Sequence, residues 1–163
     1  MPATPAEMFE RHHLAIYRYL LRMTGSRETA EELTQEVFLR AIQRAEAYEE
    51  RSRERAWLFR IARNLRIDGV RRERRAPVLA PVDDDEPWEP ARQALRLGIR
   101  QALAMLEDNE REAFVLAEVV GLSYADIAET CGTTPAAIRS RIHRARMQLR
   151  AVLDLPSGAR AVV

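Results

Sequence analysis

The chain contains no lysine, and all 26 of its basic residues are arginine. Arginine suits bidentate contacts to phosphate and guanine, but a GC-rich genome produces the same bias, so position along the chain informs more than identity. Cysteine is nearly absent too. The lone Cys131 excludes an internal disulfide, fits a reduced cytoplasm and is expected to pack as a small apolar residue beside a turn. Six glycines and 6% aromatics leave little for β-structure, whereas alanine, leucine, arginine and glutamate dominate and favour helices. No apolar run approaches the ~20 residues that span a bilayer, and Met1 to Ala6 lacks the pattern of a secretory signal. A soluble, cytoplasmic, all-α protein is the expectation. A Gly-rich phosphate loop, a clustered His/Cys ligand set and a nucleophile with a nearby base are missing as well, so no catalytic residue, metal or cofactor is expected. His12 and His13 are adjacent, point to different sides of a helix and make a poor metal pair.

What the chain does have is charge in blocks. The net charge of +1 hides −4 over residues 26–50, +7 over 51–75, −5 over 76–90, −6 over 105–130 and +5 over 131–163. Basic blocks set between acidic ones suit a protein that touches nucleic acid at two places and something else elsewhere.

The clearest stretch runs from Leu122 to Leu153, where a short apolar helix, a glycine turn and an arginine-rich helix form the grammar of a helix-turn-helix. Ser123 caps a helix from about Tyr124 to Cys131, and Gly132 permits a left-handed turn. Thr134 then caps a second helix with Pro135 in its first position. Ile138, Ile142, Ala145 and Leu149 fall on one stripe and should face Ile127 and Ala128. The opposite side carries Ala136, Ser140 and His143, flanked by Arg139 and Arg144. Residues 135–150 hold five arginines and no acid. In a helix-turn-helix the first turns of the second helix enter the major groove, which makes Arg139, Ser140, His143 and Arg144 candidates for base edges and nearby phosphates. Arg141, Arg146 and Arg150 suit phosphates or other protein.

Nearer the N-terminus, Thr4 and Glu7 make a capping box with Pro5 between them, and Phe9, His13, Ile16, Tyr17, Leu20 and Met23 recur at helical spacing before Gly25. Ser26 caps a second helix that turns Ala30, Leu33, Val37, Phe38 and Ala41 inward. Its outer side gathers Glu28, Glu31, Glu32, Gln35 and Glu36, more acid than a helix dipole calls for, and so offers a docking face for a basic partner. Residues 45–55 lose the apolar period, with Tyr48 their large aromatic. A third helix follows from about Arg53 to Arg74, with Trp57, Leu58, Ile61, Leu65 and Val70 as its buried stripe. Residues 51–75 hold ten arginines against three acids, and a one-sign face of this kind points to nucleic acid. Asn64 can donate to and accept from a base edge, Tyr48 can stack on an unpaired base, and Trp57 fills core while leaving an edge exposed. APVLAPVDDDEPWEP, residues 76–90, has four prolines and five acids and reads as a flexible linker. Helix resumes near Ala91 with Ala94, Leu95, Leu97, Ile99, Leu103 and Leu106, then again at NEREAFVLAEVVG, whose Phe114, Val115, Ala117 and Val119 or Val120 close over the helix-turn-helix.

In this order, the acidic helix, WLFRIARNLRIDGVRRERR, the acidic linker, LEDNEREAFVLAEVVGLSYADIAE and TTPAAIRSRIHRARMQLR resemble the extracytoplasmic-function branch of bacterial sigma factors, over about residues 5–153. The resemblance implies two small helical domains joined by a flexible acidic linker: a region 2-like domain over 1–75, the linker over 76–91, a region 4-like helix-turn-helix domain over 92–155, and a frayed tail over 156–163. It implies core RNA polymerase as partner through the β′ clamp helices and the β flap, promoter DNA as target, and an anti-sigma factor, which commonly holds this branch inactive. Carried over by position, Glu32, Gln35 and Glu36 match the clamp-facing residues. Tyr48, Ser52 and Asn64 match the pocket for an extruded −10 base, with Trp57 beside them, and Arg60, Arg63, Arg71 and Arg72 match residues near the strand backbone. Thr134, Arg139, Ser140, Arg141, His143 and Arg144 fall on the −35 reading element. A stand-alone helix-turn-helix regulator is the rival; it uses Arg139 and its neighbours but gives the acidic helix and the Tyr48–Asn64 region no task. Both basic surfaces are expected on separable modules.

Overall fold

Four helices begin at the hydroxyl residues that the sequence places before them. The computed structural model describes residues 4–45, 53–73 and 90–153, with backbone alone for 70–73, 90–96 and 153. Thr4 opens α1 (Pro5–Thr24) with a complete capping box: its Oγ1 accepts from the Glu7 amide, and its own amide donates to Glu7 Oε2 at 2.8 Å. Ser26 accepts from the Thr29 amide to start α2 (Arg27–Arg44). Ser123 accepts from the Asp126 amide to start α6 (Tyr124–Cys131), and Thr134 accepts from the Ala137 amide at the head of α7 (Pro135–Leu153). The remaining helices are α3 (Glu54–Glu73), α4 (Pro90–Met105) and α5 (Asp108–Phe114), which runs on into a π-helical turn, Val115–Val120. Gly25, Gly121 and Gly132 adopt φ of 70°, 78° and 64° at the ends of α1, the π turn and α6, the left-handed backbone that side chains resist. No strand occurs among the described residues, and no helix there is long and apolar enough to cross a membrane.

Helices α1, α2 and α3 pack on one another, and α7 packs on α4, α5 and α6. The expected stripes of α2 and α7 are inside: Ala30, Val37, Phe38 and Ala41 on one, Ile138, Ile142, Ala145 and Leu149 on the other. Other expectations need correction. Phe9 is exposed and stacks on His13, because Phe38 fills the place beneath it and meets Phe9 edge-on. Tyr19 takes the inward position instead and is fully buried against Phe59. Leu97 and Ile99 also face out, while of the pair Val119 and Val120 it is Val120 that is buried. The linker expected over 76–91 lies outside the described residues up to 89, as do Trp88 and the tail from 156.

The two bundles do not stand apart. One apolar cluster runs from Ile16, Tyr19 and Leu20 of α1 through Phe59 of α3 to Leu116, Ile127 and Ile138 of the C-terminal helices. The π turn lies against α1 and α6 lies against α3. Burial of this kind contributes roughly 25 cal/mol per Å² of apolar surface, so the seam is a continuation of both cores.

Candidate nucleic-acid interface

Pro135 and Thr134 set the direction in which α7 leaves the turn, and the buried Ile138, Ile142, Ala145 and Leu149 fix its rotation. With that stripe inward, Ala136, Arg139, Ser140, His143 and Arg144 are all exposed on the opposite side, as the period requires. Arg139 and Arg141 make no ion pair with the described residues, although Arg141 is half-buried. Arg144 is held to its own domain: its Nε donates to Glu110 Oε1 at 2.8 Å, while Gln148 Nε2 donates to Glu110 Oε2 at 3.0 Å. Arg146 pairs with Glu118 at the surface. The face therefore offers one unattached guanidinium, a hydroxyl and an imidazole near the start of the helix, with steadier charge behind them.

On α3 the spacing of Trp57, Arg60, Asn64 and Arg71 sets four residues along one line. Arg60 and Asn64 are exposed, and Trp57 is half-buried against the core. The side chains of Arg71 and Arg72 lie outside the described residues, and so do Tyr48 and Ser52. Arg63, matched by position to the strand backbone, is half-buried, and its Nε donates to Glu112 Oε2 of α5 at 3.1 Å. Arg66, one of the ten arginines of the 51–75 block, is 3% exposed. Its Nη2 donates to Glu112 Oε1 at 2.9 Å and its Nη1 to Asp108 Oδ1 at 3.3 Å. Tyr19 Oη donates to the same Glu112 Oε1 at 2.7 Å, and Cys131 Sγ lies 3.8 Å from Oε2. A carboxylate with no exposure at all thus collects four donors.

The electrostatics follow from that crowding. Burial, and then the Glu112 charge, hold the Tyr19 hydroxyl well above its ordinary pKa. The same two causes push the Cys131 thiol up to about 12. Burial opposes the charge on Arg66, but the Tyr19, Glu112 and Asp108 oxygens outweigh it and its pKa is raised. Nothing in the helical period marks Glu112 or Arg66 as inward; the available signal was the match between a +7 block at 51–75 and a −6 block at 105–130.

Glu32 and Gln35 are exposed on α2, while Glu36 is half-buried and accepts from Arg40 Nε at 2.8 Å. Leu39 and Ile42 follow Gln35 at spacings of four and three and are 55% and 49% exposed. Sequence reasoning passed over these two, though they lie off the inward stripe. Acid beside bare aliphatic surface is the composition of a docking face.

Comparison with known proteins agrees with this layout. Residues 8–76 match the Sigma-70 region 2 family and residues 96–149 the Sigma-70, region 4 family. The chain is 35% identical to the ECF RNA polymerase sigma factor SigL of Mycobacterium tuberculosis, over 90% of this chain and 87% of that protein. It belongs to the ECF sigma factor family. This ECF sigma factor is also 34% identical to the RNA polymerase sigma factor CarQ of Myxococcus xanthus, covering 90% of this chain and 87% of CarQ. Against the ECF RNA polymerase sigma factor SigE of Mycolicibacterium smegmatis it is 38% identical over 95% of its length, and it spans 63% of that longer relative. Among solved structures, the sigma factor RpoE from Bartonella quintana, in complex with the anti-sigma factor NepR, superposes with a TM-score of 0.78 at 27% identity, over 90% of this chain and 94% of RpoE. CnrH in complex with the cytosolic domain of CnrY gives a TM-score of 0.71 at 30% identity, over 92% of this chain and 87% of CnrH. Coverage of 90% takes in residues of both helical bundles.

Proposed function

We propose that this ECF sigma factor binds core RNA polymerase in the cytoplasm and directs it to promoters, reading −35 duplex DNA with α7 and −10 single-stranded DNA with the outer line of α3. The observation that carries this is the presence, in one chain matching regions 2 and 4, of an exposed basic face on α7 and a separate line on α3 of half-buried Trp57 with exposed Arg60 and Asn64. Arg139, Ser140, His143 and Arg144 meet base edges and adjacent phosphates, with Thr134 and Arg141 beside them. Arg60, Arg71 and Arg72 follow the strand backbone, Arg63 joins them once released from Glu112, and Tyr48, Ser52 and Asn64 hold an extruded base. Glu32, Gln35 and Glu36, continued by Leu39 and Ile42, dock on the β′ clamp helices, and the C-terminal bundle meets the β flap. The protein itself performs no bond chemistry; it positions the polymerase. RpoE is bound by an anti-sigma factor, and an inhibitor of that kind is proposed for this chain also.

Sequencing the 5′ ends of transcripts made by core polymerase with this protein on fragmented genomic DNA tests the function. Initiation should concentrate at sites sharing two spaced elements. Random initiation overturns it.

A further inference from the structure

We propose that Glu112 and Asp108 of α5 act as an internal stand-in for DNA phosphate, latching the free chain closed and withholding Arg63 and Arg66 from nucleic acid until a larger body separates the two bundles. What the covered arginines bind rests on the sigma-factor reading; the latch rests on geometry alone. A carboxylate and a phosphate present a guanidinium with the same chemistry, two anionic oxygens accepting paired N–H bonds. Glu112 takes Arg63 Nε on one oxygen and Arg66 Nη2 on the other, and Asp108 accepts from both terminal nitrogens of Arg66. Tyr19 of α1 completes the seat on Glu112.

At the rim, Arg53 pairs with Glu129, Arg55 donates to the Val120 carbonyl, and Thr130 Oγ1 donates to the Ala56 carbonyl at 3.5 Å. Every one of these bonds joins the N-terminal bundle to the C-terminal one. The latch is also built to open. Arg66 Nε is buried with no hydrogen-bond partner, an uncompensated desolvation, and buried ion pairs gain little over their hydrated, separated state. A partner that binds the separated form better shifts the balance by its differential affinity.

The test uses the full chain in three forms besides wild type: Glu112→Gln at the seat, Glu129→Arg at the exposed rim, and the swap Arg53→Glu with Glu129→Arg. Small-angle scattering should show wild type at the dimensions of the docked form, the first two variants expanded, and the swap restored. Affinity for a fluorescent single-stranded 12-mer should rise about tenfold in the expanded variants, as a binding-competent state becomes populated. Circular dichroism identifies a Glu112→Gln chain that has lost helix, in which case Glu129→Arg decides. An extended wild type, or variants that stay docked with unchanged oligonucleotide affinity, overturns the latch. Variants that expand but support no promoter-specific initiation leave the latch standing and remove the sigma-factor reading.

Discussion

Tyr19 is the largest fully buried side chain among the described residues, and its hydroxyl reaches a carboxylate that two arginines also hold. Tyr19→Phe keeps the ring and loses that bond, which should cost about 1–2 kcal/mol and lower the melting temperature by roughly 3–6 °C for a chain of this size. Calorimetry checks it; an unchanged melting point means that the hydroxyl is not needed. Gly132 gives a contrasting case. A Cβ there meets open space at φ +64°, so Gly132→Ala carries backbone strain alone, on the order of 1 kcal/mol, without loss of packing. Cys131 supplies a pH dependence. Its thiol moves from an ordinary 9.0 to about 12 on folding, so between those values the folded chain keeps a proton that the unfolded chain has released. The associated stability is present below pH 9 and falls as pH rises toward 12. Urea titrations at pH 8 and pH 10 should show a larger loss for wild type than for Cys131→Ser.

Among the elements, α7 was legible almost residue for residue, because cap, proline and a single apolar stripe agree and the helix faces one core. Tyr48 and Ser52 fall outside the described residues, so for α3 the comparison rests on Trp57 through Asn64. That helix was legible only in part. It is packed on three sides, by α1, α2 and α6, so Phe59, Ala62 and Arg66 lie inward along with the stripe that periodicity picks out. A long-range ion cluster leaves no local signature; only the opposed charge of two distant blocks hinted at it. On α2 the same reasoning found the acids but not the aliphatics beside them. Glu32→Arg together with Leu39→Ser should abolish capture by core polymerase while leaving the thermal transition within about 1 kcal/mol of wild type, since both side chains are exposed. Retained capture would move the docking face elsewhere. On α7, Arg139→Ala should weaken −35 duplex binding by about 1–3 kcal/mol if the guanidinium reads a guanine. A loss equal on all sequences would assign it to phosphate instead.

For the whole molecule, the shared core joins bundles that were expected to be separable, and in doing so covers one edge of the α3 basic face while leaving the α7 face open. Free protein should therefore bind duplex −35 fragments better than −10 single strands, and a complete promoter only weakly. Polymerase would open the chain and set its two modest contacts at a fixed spacing, raising the effective concentration of the second. Salt separates the layers of the seam. At 1 M the screening length is about 3 Å, which weakens the rim pair Arg53–Glu129 but reaches little of a carboxylate sealed from water. Screening only removes the attraction of that pair, whereas Glu129→Arg sets it against Arg53 as a like charge, so scattering dimensions should hardly change between 0.1 and 1 M salt; expansion at high salt would mean that the buried seat does not hold the chain shut without the rim pair.

The π-helical turn at Val115–Val120 holds one more residue than an α-helix of the same rise, with the Gly121 amide donating to the Leu116 carbonyl. That surplus residue sets the phase between the acids of α5 and everything after Gly121. Removing a single codon, for Ala117, would let the segment rewind to α-geometry and turn Asp108 and Glu112 by roughly 100° relative to the DNA-reading helix. A deletion lineage of this kind would keep its reading head and lose its brake.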